Sequence, residues 1–143
     1  MRILWILLGL FGLAAVALGA YGSHATAFAD AGAQAVFETG VRYHFAHLPA
    51  LGLAALIGSL APAAARRAGI AGALVLAGLL LFCGSLYLKA LGLADITNPL
   101  APAGGFLLMA GWLALAWAGL GLLRPPRLTV PSARSRHGGA ALL

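Results

Sequence analysis

The chain has 143 residues, of which 62% are hydrophobic and 8% are charged. A soluble domain carries about 25% charged residues, so this composition cannot cover a water-facing surface, and it also excludes an intrinsically disordered chain. The net charge is +6, but the basic residues lie in loops between apolar runs, so we expect no nucleic-acid partner. A lipid bilayer is the solvent that remains, with about 20 residues needed for each span.

Four apolar runs follow one another at residues 3–22, 36–60, 68–93 and 103–123. Each run is apolar on most of its faces, which is typical of membrane spans, and none alternates as a transmembrane strand does. Short loops between the runs favour antiparallel neighbours. The sequence therefore predicts an all-α integral membrane protein. Residues 1–123 would form an up-down four-helix bundle, followed by a flexible basic cytoplasmic tail at 124–143.

The first run has a second interpretation as a secretory signal peptide, with Arg2 as its basic start and Ala17-Leu18-Gly19 as a cleavage site. Its uncharged stretch is longer than the hydrophobic region of about 7–15 residues that is usual there. We therefore expect this segment to be retained as the first membrane helix.

Charge distribution predicts the orientation of the bundle. In a four-span chain, Arg2, the pair Arg66-Arg67 and the arginines of the tail all fall on one side. The opposite side receives all the acidic residues and two basic ones: Asp30, Glu38, Asp95, Arg42 and Lys89. The positive-inside rule then predicts that both termini are cytoplasmic.

Glycines are candidates for close helix contacts, because lipid provides no hydrophobic drive between helices. Gly9, Gly12 and Gly19 fall within about 80° of one another on a helix, which predicts a small-residue stripe facing a neighbour. The third and fourth runs contain further glycines: Gly72, Gly78, Gly84, Gly105 and Gly111.

The candidate site residues all fall at one end of the predicted bundle, where the first and third runs end and the second begins. They are Tyr21, His24, Glu38, Arg42, His44, His47, Tyr87 and Lys89, with Asp95 and Asn98 just beyond. Glu38 and Arg42 are one helical turn apart in the favourable order for an ion pair. We expect this pair either to support the bundle at the membrane interface or to organise a buried pocket.

Two kinds of chemistry have weaker support. His24, His44 and His47 would supply three nitrogens to a metal, completed by Glu38 or water, but interhelical hydrogen bonds explain the same residues. Gly84-Ser85 is similar to part of an intramembrane serine hydrolase site, without the usual flanking glycines. We expect no metal, no cofactor and no enzymatic activity.

Four ordered segments carry a family resemblance. They are Gly19-Ala20-Tyr21-Gly22-Ser23-His24, the stretch from Phe37 to His47, Phe82-Cys83-Gly84-Ser85-Leu86-Tyr87, and Pro102-Ala103-Gly104-Gly105 followed by Gly111-Trp112. Together they resemble the family called domain of unknown function four-two-three, whose eukaryotic relatives are called transmembrane protein two-five-six. His44 stands where glutamine is usual, and Cys83 where serine is usual. The resemblance implies a small multi-pass protein of the bacterial inner (plasma) membrane or of mitochondria, and it implies no activity.

Three functions remain open at this point. The first is a non-enzymatic inner-membrane protein whose polar cluster ties its helices together in the lipid bilayer, with a membrane-protein partner or a second copy as a further partner. The second is a small carrier or ligand-binding protein for protons, ions or lipids, because ionisable groups within a membrane are costly and usually functional. An intramembrane enzyme is the third alternative.

Overall fold

The computed structural model describes residues 1–24, 28–93 and 99–123. Its helices are α1 (Arg2–His24), α2 (Ala31–Leu60), α3 (Ala65–Ala90) and α4 (Leu100–Gly119), with short 3₁₀ turns at Pro62–Ala64 and Leu120–Leu123. Within these described ranges, four helical segments are long and apolar enough to cross a membrane, which confirms the prediction of an all-α membrane protein. The predicted tail, Asp95 and Asn98 lie outside the described residues. Retention of the first run in the mature chain stays a prediction.

Helix ends differ from the predicted spans where a local signal sets them. α2 begins ahead of residue 36 because the Asp30 side chain accepts a hydrogen bond from the Ala33 backbone N–H at 2.8 Å and caps the helix. α3 ends at Ala90, before the predicted end at residue 93. Gly92 follows with φ of +67°, a left-handed conformation that favours glycine.

Consecutive helices pack as antiparallel neighbours. Gly22 near the end of α1 lies against Phe37 near the start of α2, whereas Gly58 near the end of α2 lies against Met1. The most extensive contact joins α3 and α4, followed by the contact between α2 and α3. We call the end of the bundle where α1 and α3 finish, and α2 and α4 begin, the polar end.

Glycine allows α3 and α4 to approach each other closely. A Cβ atom at Gly104 would clash with the backbone of Phe82, and one at Gly111 would lie 2.7 Å from the Val75 Cγ2 atom. The expectation for Gly111 is therefore confirmed. The neighbouring Gly105 would place its Cβ atom 3.9 Å from the Phe82 ring, which is ordinary van der Waals contact. Of these two adjacent glycines, Gly104 is the one that lies against the α3 backbone.

The stripe predicted on α1 is wrong for two of its three members. A Cβ atom at Gly9 or Gly12 would meet none of the described neighbours within 4 Å, whereas one at Gly19 would lie 3.6 Å from both Val41 and Phe45. In an apolar stretch of 18 residues within α1, 11% of the residues are buried inside the protein, whereas 39% are buried in the corresponding stretch of α2. α1 is thus a peripheral helix, and two of its glycines face away from the bundle.

Candidate functional site

Aromatic rings hold the polar end together around Phe37, a fully buried residue of α2. Its ring centroid lies 5.7 Å from that of Tyr21 on α1 and 4.9 Å from that of Tyr87 on α3. The ring centroid of Phe28, in the link before α2, lies 5.2 Å from that of Phe37. Such tilted aromatic pairs add about 0.5–1.5 kcal/mol each beyond the area they bury, so Phe37 joins three helices. This role of Phe37 was not predicted from the sequence.

His44 and Tyr87 connect α2 to α3. The His44 Nδ1 atom lies 3.3 Å from the Tyr87 hydroxyl oxygen, and the edge of Phe11 on α1 packs on the imidazole with ring centroids 5.6 Å apart. One turn earlier, a Cβ atom at Gly40 would lie only 2.7 Å from the Tyr87 Cε1 atom. The absence of a side chain at Gly40 therefore allows the tyrosine to reach the histidine.

An apolar cavity of about 280 Å³ lies between α1, α2 and α3, beside this contact. Its lining includes Leu10, Phe11 and Leu18 on α1, His44 on α2, and Leu79 and Gly84 on α3. His44 is 5% exposed, and its Nε2 atom has no hydrogen-bond partner among the described residues. His44 and Tyr87 are thus polar residues in an otherwise apolar lining, and the unused Nε2 atom is buried just behind the cavity surface. We call this space the His44 cavity.

Glu38 and Arg42 line a second, more polar space of about 440 Å³ between α1 and α2. The expected ion pair between them is wrong, since the described chain shows no such pair. Gln34 Nε2 donates to the Glu38 carboxylate at 3.1 Å, and the Arg42 guanidinium donates to Thr39 Oγ1 at 3.1 Å. Both charged residues are exposed, where an ion pair contributes only about 0–1 kcal/mol, so neutral partners on the same helix compete well.

The remaining histidines lie in different surroundings. His47 hydrogen-bonds through Nδ1 to the Tyr43 backbone carbonyl at 2.8 Å, and its ring centroid lies 6.2 Å from that of Trp112 on α4. His24 is exposed at the end of α1. Within the described ranges, no three side chains of His, Cys, Asp or Glu form a group able to hold a metal. The three histidines are therefore not brought together, because α2 directs His44 and His47 to different neighbouring helices.

Two further candidates on α3, Ser85 and Lys89, do not contact the other candidate residues through a hydrogen bond within the described chain. The Ser85 hydroxyl donates to the Phe82 carbonyl at 2.8 Å, so it is bonded to its own helix rather than to a histidine. Lys89 is exposed in the last turn of α3. The sequence-predicted residues thus divide into the His44–Tyr87 contact, the Glu38–Arg42 space, and side chains that belong to neither.

A family model described as "Protein of unknown function (DUF423)" matches residues 18–105, which include every candidate residue named above at the polar end. The match covers more than half of the chain. This chain belongs to the DUF423 family. The resemblance drawn from the four sequence segments is thereby confirmed.

Relatives of this DUF423 protein come from several bacteria. A UPF0382 membrane protein of Haemophilus influenzae is 34% identical over 112 residues, covering 78% of this chain and 88% of the relative. The UPF0382 membrane protein YwdK of Bacillus subtilis is 35% identical over 125 residues, covering 82% and 96% respectively. No solved structure matches the chain. Both relatives are named as membrane proteins.

Two neutral residues of this site were missed by the sequence analysis although a signal for them exists. Gln34 precedes Glu38 by four residues, and Thr39 precedes Arg42 by three. Both spacings place side chains next to each other on a helix. Neutral side chains at these spacings compete with the ion pair, and the prediction took only the oppositely charged residues into account.

Proposed function

We propose that this DUF423 protein is a non-enzymatic plasma-membrane protein that binds a lipid-soluble molecule in the His44 cavity. The observation that carries the proposal is the His44 Nε2 atom, which is buried without a partner among the described residues. Leaving such a group unsatisfied costs about 1–3 kcal/mol. A rotation of the imidazole that exposed Nε2 to the cavity would let a ligand oxygen remove that cost, and the apolar wall would take up the rest of the ligand.

The neighbouring hydrogen bond defines the chemistry of the ligand. A charged imidazole in an apolar environment is costly, and a neutral ring carries a single proton. We assign the Tyr87 hydroxyl as the donor in its 3.3 Å contact with Nδ1, and with this assignment the ring proton lies on Nε2, which then donates. The matching group is a carbonyl or ester oxygen on an apolar body. A cavity of about 280 Å³ has room for such a body, since an apolar cavity of about 150 Å³ binds benzene.

The surroundings of His44 support binding rather than catalysis. A histidine base needs a nucleophile within hydrogen-bond reach. In the described chain, the Ser85 hydroxyl donates to a backbone carbonyl, and no hydrogen bond joins His44 to the buried Cys83 thiol. The hydroxyl that does lie within reach of His44 is the Tyr87 phenol, and in this proposal that contact orients the imidazole to hold a ligand oxygen.

Orientation and location form part of the same proposal. The two arginines of the link between α2 and α3, Arg66 and Arg67, lie at the end opposite the polar end, whereas Asp30 and Glu38 lie at the polar end. The positive-inside rule supports a cytoplasmic location for the arginine end and both termini. The names of the relatives support a membrane location. A protein partner or second copy stays a prediction.

A matched pair of probes tests the ligand chemistry. Acetophenone and ethylbenzene have nearly the same shape, but only acetophenone has a carbonyl oxygen. We expect acetophenone to raise the thermal midpoint of the detergent-solubilised protein more than ethylbenzene does, and to shift the ¹⁵N resonance of His44 Nε2. In the variant His44→Phe, which keeps a ring and removes both nitrogens, the two probes should become equivalent.

A cavity-filling variant provides the second arm. Gly84 lines the His44 cavity, and a Cβ atom there would meet no described neighbour within 4 Å, so Gly84→Leu is expected to fold and to abolish the effect of both probes. Gly12→Leu is the matched control, because Gly12 has equally open surroundings and is not part of the lining. Stabilisation by acetophenone that persists in Gly84→Leu would overturn the proposal.

A further inference from the structure

We propose that the space between α1 and α2 lined by Glu38 and Arg42 is a binding site for a phospholipid headgroup that carries both a phosphate and a primary ammonium. We call this space the headgroup groove. Arg42 would hold the phosphate and Glu38 the ammonium. The groove is separate from the His44 cavity, with which it shares no lining residue.

The depth of the groove along α2 matches the headgroup layer. α2 has 30 residues, which corresponds to about 45 Å at 1.5 Å per residue, whereas the hydrocarbon core of a bilayer is about 30 Å thick. About 20 residues counted back from Leu60 cross the core, so the first turns of α2 extend beyond it. Glu38 and Arg42 lie at this boundary, and both are exposed.

Neutral neighbours hold the two charges without neutralising them. Thr39 donates its hydroxyl proton to the Ala35 carbonyl at 2.8 Å, which leaves its oxygen as the acceptor for the Arg42 guanidinium. A guanidinium has five N–H donors, so one bond to Thr39 leaves others for a phosphate, which arginine recognises well. Glu38 accepts one bond from Gln34, and a carboxylate has further acceptor positions for an ammonium.

The α1 side of the groove also favours a cation. Gly19, Gly22 and Ser23 form this wall in the last two turns of α1, where the missing side chains of the glycines bring backbone close to the groove. The C-terminal end of a helix carries a partial negative charge. An ammonium is therefore stabilised from both sides, whereas an anionic headgroup without an ammonium would face Glu38 unpaired.

The choice of lipid tests this inference. The full-length protein would be reconstituted into nanodiscs with equal amounts of phosphatidylethanolamine and phosphatidylglycerol, and native mass spectrometry would measure the lipid retained. We expect the wild type to retain phosphatidylethanolamine in preference. Glu38→Gln should reduce the ratio of the two retained lipids by up to about fivefold, the factor corresponding to the loss of an exposed ion pair worth about 1 kcal/mol. Arg42→Gln should reduce the retention of both lipids.

The matched control is Lys89→Gln, which removes an exposed charge near the same end without changing the lining of the groove. It should leave the lipid ratio unchanged. The same is expected of His44→Phe, so a failure of this inference is distinguishable from a failure of the proposed function. An equal ratio in the wild type, or a ratio that Glu38→Gln does not alter, would show only general lipid adhesion and would overturn the inference.

Discussion

Single residues at the polar end act through the partners that the fold brings to them. His44 was singled out from the sequence as one of several histidines, but its partners Tyr87 and Phe11 come from helices far away in the chain. For Glu38 and Arg42, helical spacing correctly placed both on one side of α2. It did not decide their hydrogen bonds, because Gln34 and Thr39 are equally near on the same helix.

Loss of the tyrosine hydroxyl is predicted to weaken the contact between α2 and α3. Tyr87→Phe removes the hydrogen bond to His44 Nδ1 while keeping the ring against Phe37. We expect the free energy of unfolding in detergent to fall by at least about 1 kcal/mol. The loss exceeds that of a simple hydrogen bond because both imidazole nitrogens are then buried without a partner among the described residues. Tyr43→Phe is the control, since Tyr43 is exposed. Equal stability of the two variants would contradict this prediction.

At the scale of helices, small residues determine how closely neighbouring axes approach. Composition identified the apolar runs, and the glycines within them were recognised as candidate contacts. Which glycine faces a neighbour depends on the rotation of each helix about its axis. α4 turns Gly104 rather than Gly105 towards the backbone of α3, and α1 turns Gly9 and Gly12 away from the bundle.

Adjacent glycines of α4 provide a matched test of this packing. Gly104→Ala would place a methyl group against the backbone of Phe82, and the backbones would have to separate. We expect a loss of about 1–3 kcal/mol in the free energy of unfolding, as for other overpacked contacts. Gly105→Ala, whose methyl group would lie 3.9 Å from the Phe82 ring, should change it by less than about 0.5 kcal/mol. The reverse order would show that the assigned helix face is wrong.

At the scale of the whole molecule, four antiparallel helices separate two chemically different ends. The polar end carries the aromatic cluster around Phe37 and the groove that Glu38 and Arg42 line. At the opposite end, the Arg67 guanidinium lies 4.7 Å from the ring centroid of Trp117, a cation–π contact between α3 and α4. Aromatic and basic residues of this kind anchor helices at the membrane surface.

Labelling from one side of the membrane tests the orientation of these ends. In a Cys83→Ala background, a cysteine introduced at Ala29 should react with a membrane-impermeant thiol reagent added to intact cells, whereas one at Ser132 should not. Ala29 is exposed and is preferable to Asp30, whose side chain caps α2. Protection at Ala29 together with reaction at Ser132 would reverse the orientation.

Composition and run length by themselves determined that this protein is helical, that four segments can cross a membrane, and that its polar residues gather at one end. These are properties of single segments, because a long run of apolar residues favours a lipid environment whichever helices it packs against. The motif segments also identified the family. Only the tertiary structure decided that Glu38 and Arg42 do not pair, that His44 meets Tyr87 beside a cavity, and that His47 faces α4. The first outcome depends on competing partners within α2. The other two depend on how each helix is rotated against its neighbours, and that rotation is selected by side-chain packing between distant parts of the chain.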